Sequence, residues 1–292
     1  MTISIPTSHA APSHARIDNY LAGGIHNWSV DRDFVDRVLE TYPSMRRMAT
    51  ASLLFADATV RRLLTLGVTQ FLDIGSGVPS LGAIHHAPDG PDTTPISDAG
   101  ADFRVVYVDN DLTAVAYAQL HLDEHGDNER RAVIDADLRA PDDLWADAVE
   151  TGLIDPFRPV GVLLVSILHV PQAGVAGEDV GRESVARLCS LLPKGSFVAV
   201  CHIVKTGIPA DVSAGLDRVR DIYRAAGLPV VWRTQNETET LLAGLDIVGP
   251  GWRWVTEHCR PESHTGISAL SPVSFESGSH SAIWAGIGCV SS

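Results

Sequence analysis

Lysine is nearly missing from this chain of 292 residues, with Lys194 and Lys205 the only examples. Arginine supplies the other basic side chains, and 22 basic residues face 36 acidic ones for a net charge of −14. No basic run offsets that balance, which argues against a nucleic-acid partner. No apolar run approaches the ~20 residues of a membrane helix, which predicts no membrane partner. The first residues lack the basic segment and apolar core of a signal peptide. The four cysteines, Cys189, Cys201, Cys259 and Cys289, include no Cys-x-x-Cys pair. That spacing predicts reduced thiols, a cytoplasmic setting and no zinc site. A phosphate loop of the Gly-Lys-Ser/Thr kind is also absent.

What is present is ordinary globular material, 45% hydrophobic and 20% charged, enough for one large α/β domain. The chain is organised around Phe71-Leu72-Asp73-Ile74-Gly75-Ser76-Gly77. An apolar run this short predicts a central strand of a parallel sheet, buried on both faces. Gly75 and Gly77 let the backbone pass close to a ligand at the carboxyl end of that strand. A dinucleotide fingerprint wants a third glycine three residues on, but Pro79 and Ser80 stand there. Asp73 would repel a pyrophosphate. An acid beside a glycine turn suits a ligand bearing an amino group and a sulfonium, such as S-adenosylmethionine.

Residues 1–14, rich in Ser, Pro, His and Ala, read as a mobile tail. Residues 15–66 then read as an N-terminal helical cap and 67–292 as the core of the same domain. Within the cap, 16–28 holds aromatics, Gly23-Gly24 and polar amides without periodicity, and reads either as a helix-to-helix turn at the glycines or as a cover over the ligand site. Helices are predicted over 31–40 and over 44–66, the second capped by Ser44 and stopped at Gly67. Met45, Met48, Leu53 and Phe55 of that second helix are expected in the core. A short helix at 81–86 carries His85-His86; adjacent residues do not share a helix face, so a metal site is not expected there. Residues 87–101 and 261–280 read as surface loops.

Three further strands repeat the pattern of the first. Residues 104–109 end in Asp109, placed to accept two ribose hydroxyls, and Asn110 follows. Asp111 is expected to cap the next helix. Residues 132–138 close on Asp137-Leu138, where a carboxylate can accept the adenine amine. Residues 160–167 carry Ser166 near their end, with His169 just beyond. A fifth strand at 196–202 and two late ones at 245–248 and 281–288 complete the reading. Alternating strands and helices from 70 to 202 make a doubly wound parallel sheet. Right-handed crossovers bring Asp73, Asp109, Asp137 and Ser166 to one edge.

These motifs resemble a class I S-adenosylmethionine-dependent methyltransferase. More narrowly, the chain resembles the actinobacterial methyltransferase family first catalogued as a domain of unknown function. The carrying stretches are Tyr20-Leu21-Ala22-Gly23-Gly24, Asn27, residues 71–75 and 106–111, Ala136-Asp137-Leu138-Arg139, Leu168-His169 and residues 244–251. Where that family has a lysine-aspartate pair before the asparagine, this chain has Ile25-His26. The resemblance implies a Rossmann-like sheet of seven strands, mostly parallel with the last antiparallel, beneath an N-terminal helical cap. It implies S-adenosylmethionine as cofactor, touched by Tyr20, Gly24, Asn27, Asp73, Gly75, Ser76, Gly77, Asp109, Asn110, Asp137, Leu138 and Ser166. Tyr20, Gly23-Gly24 and Asn27 are expected to close over its methionine end. The acceptor is read as a small-molecule nucleophile, its reacting atom open among O, N, S and C. His169 is the candidate base, with His26 and Trp28 shaping the acceptor pocket. A non-catalytic S-adenosylmethionine-binding or scaffold protein is the alternative, and a nicotinamide oxidoreductase is disfavoured by Ser80. The oligomeric state is left open.

Overall fold

In a computed structural model, the structure describes residues 11–78, 103–125, 128–258 and 273–291. The expectations for residues 1–10, for the helix and histidine pair at 81–86, for the loop at 87–101, for Cys259 and for 261–272 lie outside them.

Five strands form the parallel body of the sheet: β1 (Gln70–Ile74), β2 (Arg104–Asp109), β3 (Arg131–Asp135), β4 (Gly161–Val165) and β5 (Phe197–Ile203). Three more follow: β6 (Asp246–Ile247), β7 (Arg253–Trp254) and β8 (Ile283–Cys289). The order is β3-β2-β1-β4-β5-β8-β6, with β7 also on β8. β8 runs antiparallel to β5, and β6 and β7 run antiparallel to β8. The Rossmann-like reading holds, with eight strands among the described residues where seven were expected. The extra strand arises because two-residue pieces pair with opposite ends of β8, Asp246 opposite Cys289 and Arg253 opposite Ala285. Pieces that short carry no alternation for a sequence to display.

Strand residues divide between two cores by parity. Phe71, Val105, Tyr107, Leu163, Ala199 and Cys201 pack on one face of the sheet. Leu72, Val106, Val108, Val162, Leu164, Val198 and Val200 pack on the other. Successive side chains of a strand point to opposite faces, so a continuous apolar run serves both. α5 (Pro141–Glu150) and α6 (Gly181–Leu191) cover the second face through Leu144, Ala148, Val185 and Leu188. The first face is covered by α1 (His14–Leu21), α2 (Ser29–Thr41), α3 (Ser44–Thr65) and, further along, α7 (Ala210–Ala225). α4 (Leu112–His125) follows β2, and Asp111 accepts the Thr113 N–H at 2.8 Å, the cap expected of it. Ser44, by contrast, is the first residue of α3; Pro43 precedes it and no side chain caps that end. Among the described residues no helix is long and apolar enough to cross a membrane, and no group of His, Cys, Asp or Glu is placed to hold a metal.

α1 begins at His14, inside the stretch expected as tail, with Ser13 as its N-cap. It is fastened to α2 by a buried ion pair, Arg16 Nε to Asp31 Oδ2 at 2.6 Å. Asp31 also accepts the backbone N–H groups of Ser13 and Trp28. The Arg16 guanidinium lies 3.7 Å over the Trp28 ring. A second lock sits at the end of α1. Asn27 Nδ2 donates to Asn19 Oδ1 at 3.0 Å and to the Gly24 carbonyl at 2.9 Å. A side chain at Gly24 would meet the Asn19 amide at 2.3 Å, so the close approach requires glycine there.

Candidate active site

The strand order reverses between β1 and β4, and a cleft opens at their carboxyl ends, as open α/β sheets arrange it. It has two halves that share Gly75, Gly77, Val165 and Ser166 as common walls. One half runs over the end of β2, past Asp109, Asn110, Leu138 and Arg139. The other runs beneath the cap and is walled largely by apolar side chains, among them Met45, Met48, Leu53, Trp232 and Ile283.

The turn after β1 is built as its glycines predict. Gly75 and Gly77 have φ of 72° and 66°, where side chains are disfavoured. A Cβ on Gly75 would stand 2.2 Å from Ile167, so the turn after β4 presses directly on the turn after β1. Asp109 holds the arrangement together. Its Oδ2 accepts the Gly77 N–H and its Oδ1 the Asp111 N–H, both at 2.8 Å. A carboxylate has about four acceptor positions, and although the Asn110 backbone bonds to it as well, it retains acceptor capacity toward the cleft.

Three carboxylates meet here, and among the described residues no cation is paired with them. Burial, with the Asp109 charge nearby, pushes Asp73 up to about 7. The same two causes push Asp18 of α1 up to about 7. Burial also raises Asp109, against the lowering effect of its backbone hydrogen bonds. Asp73 keeps part of its surface accessible although protein surrounds it, because that surface faces the cleft. A carboxyl raised in this way favours folding most below its unfolded value near 3.8, and the advantage is lost as pH climbs to about 7. Asp73→Asn is therefore expected to raise the melting temperature of the ligand-free protein by several degrees at pH 8 and by less at pH 4. Equal shifts at both pH values would show that Asp73 is not the group responsible.

Asp137 differs from the other strand-end acids. It is engaged by Arg139, with Nη2 to Oδ2 at 2.5 Å, and by Asn110 at 3.0 Å. Those bonds hold it down to about 2. The carboxylate expected on the adenine amine is thus engaged by Arg139 and Asn110, and its neighbours Leu138 and Arg139 border the cleft.

Ser166 lines both halves, with φ of 63°. A non-glycine residue there is strained by roughly 1–3 kcal/mol and must be held by its surroundings. Arg233 holds the following turn, donating to the Leu168 carbonyl and to Asp179, both at 2.5 Å. His169 is fastened as well. Its Nε2 accepts the Ile203 N–H at 2.5 Å, and the Ser166 backbone also bonds to the ring. Burial, with His202 and Arg233 alongside, holds it well below the usual histidine range. It borders the apolar half, but its one basic lone pair is already occupied. That geometry weighs against the expected role of His169 as a base.

The cap residues also differ from expectation. Tyr20 turns to Arg46 and Asp36, His26 stacks on Tyr117, and Trp28 lies under Arg16. Gly24 and Asn27 brace Asn19, which itself borders the cleft. The cleft face of α1 is His14, Ala15, Asp18, Asn19 and Ala22, spaced at i, i+4. That spacing was the available signal, and it was hidden because the face is not apolar. Met45 and Met48, expected purely as core, double as cleft wall; Leu53, also expected in the core, is half-buried and lines the cleft, whereas Phe55 is core alone.

A family model described as S-adenosyl methyltransferase matches residues 2–290. A candidate methyltransferase from Thermobifida fusca shares the fold at a TM-score of 0.77, with 26% identity over 100% of both chains. A DUF574 family protein from Streptomyces avermitilis follows at 0.74, with 25% identity over 96% of this chain and 97% of its own. An O-methyltransferase family protein from Burkholderia thailandensis, 12% identical at 0.50 over 86% of this chain and 61% of its own, shares the fold alone. No curated protein matches the chain in sequence. The resemblance carried by the glycine turn, the strand-end acids and the cap motif is thus borne out along the chain, and the chain belongs to the S-adenosyl methyltransferase family, with S-adenosylmethionine as its cofactor.

Proposed function

We propose that the chain transfers the methyl group of S-adenosylmethionine to a small-molecule nucleophile held in the apolar half of the cleft. The observation that carries this reading is the junction of the two halves. An acid-rich glycine turn opens there directly into a cavity walled by Met45, Met48 and Trp232. The donor fits the residues present. Asp109 keeps acceptor capacity for the ribose hydroxyls, with Asn110, Leu138 and Arg139 toward the base. Gly75, Ser76 and Gly77 take the methionine end, where Asp73 meets its ammonium group, and Ser166 closes the opposite wall. Tyr20, Gly24 and Asn27 act at one remove, by fixing how α1 lies over the cleft.

When bound, the donor supplies a methyl group already activated by a positively charged sulfur. The protein's task is then to align the acceptor and exclude water, and such positioning supplies roughly 7–11 kcal/mol of barrier reduction. His169 pins the turn after β4 and takes no proton. The net charge of −14 and the apolar wall favour a small molecule over nucleic acid. The free thiols Cys189, Cys201 and Cys289 suit a cytoplasmic setting.

The test is transfer of labelled methyl groups from S-adenosylmethionine to a panel of small amines, phenols and thiols with apolar bodies, beside RNA and mixed protein. Label is expected in a small product. Label entering only macromolecules would overturn the reading.

A further inference from the structure

The cap brings one charged group into the cleft that the donor's placement leaves unused. Asp18 lies on the cleft face of α1, one turn after His14, and borders both halves of the cleft. It stands where the donor and acceptor compartments meet. Its side chain is exposed, and it lines the cavity. Among the described residues, no hydrogen bond to its carboxylate contributes to its titration. The nearest arginine in sequence, Arg16, is committed to Asp31, and Arg139 in the cleft wall is committed to Asp137.

We propose that Asp18 reads the charge of the methyl donor, so that the cleft holds the sulfonium form more tightly than the neutral thioether left after transfer. This rests on the donor placement given above. In the transfer, the acceptor's lone pair forms a bond to the methyl carbon, and the carbon–sulfur bonding pair returns to sulfur. Any proton on the acceptor leaves to solvent. The sulfur loses its positive charge, and Asp18 loses its counterion at that moment.

Among the described residues the surroundings offer no substitute. His14 on the same helix is held at about 4 by burial, so it is neutral at physiological pH. Tyr223 of α7 is raised by burial and by Asp18 itself, so its hydroxyl is neutral too. His169, beyond β4, is held well below its usual range. Asp73 of β1 and Asp109 of β2 carry the same sign as Asp18. An Asp18 carboxylate without a sulfonium is therefore destabilised, and it regains a proton near neutral pH. Asp18 thus links release of the thioether to proton uptake.

Calorimetry with three ligands separates this from a general effect. S-adenosylmethionine carries the sulfonium, S-adenosylhomocysteine is the neutral thioether, and sinefungin places an amine where the sulfonium methyl was. All three keep the α-ammonium, the ribose and the adenine. At pH 8 the protein is expected to bind the two charged ligands roughly 10-fold more tightly than the thioether, the scale of one charge-assisted bond. At pH 6, below the raised value of Asp18, the preference is expected to shrink. Asp18→Asn is expected to remove the preference at pH 8 while leaving thioether binding unchanged or stronger. A variant that weakens all three ligands equally, or a native protein with no preference at pH 8, would overturn the proposal. The two-pH comparison on the native protein decides even if the variant does not fold. A failed donor placement has its own signature: Asp109→Ala would leave all three affinities unchanged.

Discussion

Asp109→Ala is expected to weaken S-adenosylmethionine binding at least roughly 100-fold while the sheet stays folded. Each hydrogen bond to a charged group contributes about 1.5–3 kcal/mol, and the carboxylate is proposed to accept two ribose hydroxyls. Two such bonds lost correspond to about 3 kcal/mol or more, at 1.4 kcal/mol for each factor of ten. The variant also frees the Gly77 N–H, which now donates to Asp109 at 2.8 Å, so the glycine turn loses one of its anchors. Folding tolerates the change because the carboxylate is raised by burial, and alanine removes that penalty together with the bonds. Asp18 and Asp73 are each raised in part by Asp109, so both acids should titrate lower in the variant. Calorimetry gives the affinity and carbonyl-labelled infrared difference spectra give the titrations. Unchanged affinity in a folded variant would remove Asp109 from the site.

Asp31→Ala is expected to cost about 3–5 kcal/mol of stability, because it leaves Arg16 charged and buried without a partner. Both side chains are almost fully buried, at 5% and 0% exposure. The variant also strands the N–H groups of Ser13 and Trp28, which cap the starts of α1 and α2. For a domain of this size the loss lowers the melting temperature by roughly 10 °C. Cofactor affinity should fall as well, since α1 carries His14, Asp18 and Asn19 into the cleft and the ion pair holds α1 in place. The double variant Arg16→Met/Asp31→Leu separates the two effects. It removes the orphaned charge, so much of the stability should return, whereas Asp31→Ala alone should not recover it. A melting temperature within about 1 °C of the native protein in Asp31→Ala would show that the pair contributes nothing net.

Much of this protein was legible in one dimension. The runs at 71–72, 105–108 and 160–165 hold consecutive apolar residues, as a strand buried on both faces requires. Gly75 and Gly77 announced a turn at positive φ, and Asp73 and Asp109 announced acids at one sheet edge. All of these are local facts, written in consecutive residues whose backbone geometry admits few alternatives. The resemblance to the methyltransferase family added the antiparallel last strand and the cofactor.

Tertiary structure alone decided which polar groups were already spent. Asp109 and Asp137 look alike in sequence, each an acid closing a strand, yet Arg139 takes Asp137 while Asp109 keeps capacity for the cleft. The ring of His169 accepts the N–H of Ile203, 34 positions away, a contact that no local pattern announces. Asn27 and Gly24 carried the most distinctive motif, and their contacts go to Asn19. Asp18 drew no notice as one polar residue in a polar helix, because its significance comes from standing beside Asp109, 91 positions on, where α1 crosses the end of β2. The sequence by itself determined where the sheet edge lies and that acids collect there. Which acid is paired, which histidine is occupied and which cap residue faces inward depend on partners distant in sequence, and hydrogen-bond capacity is known only once those partners have come into contact.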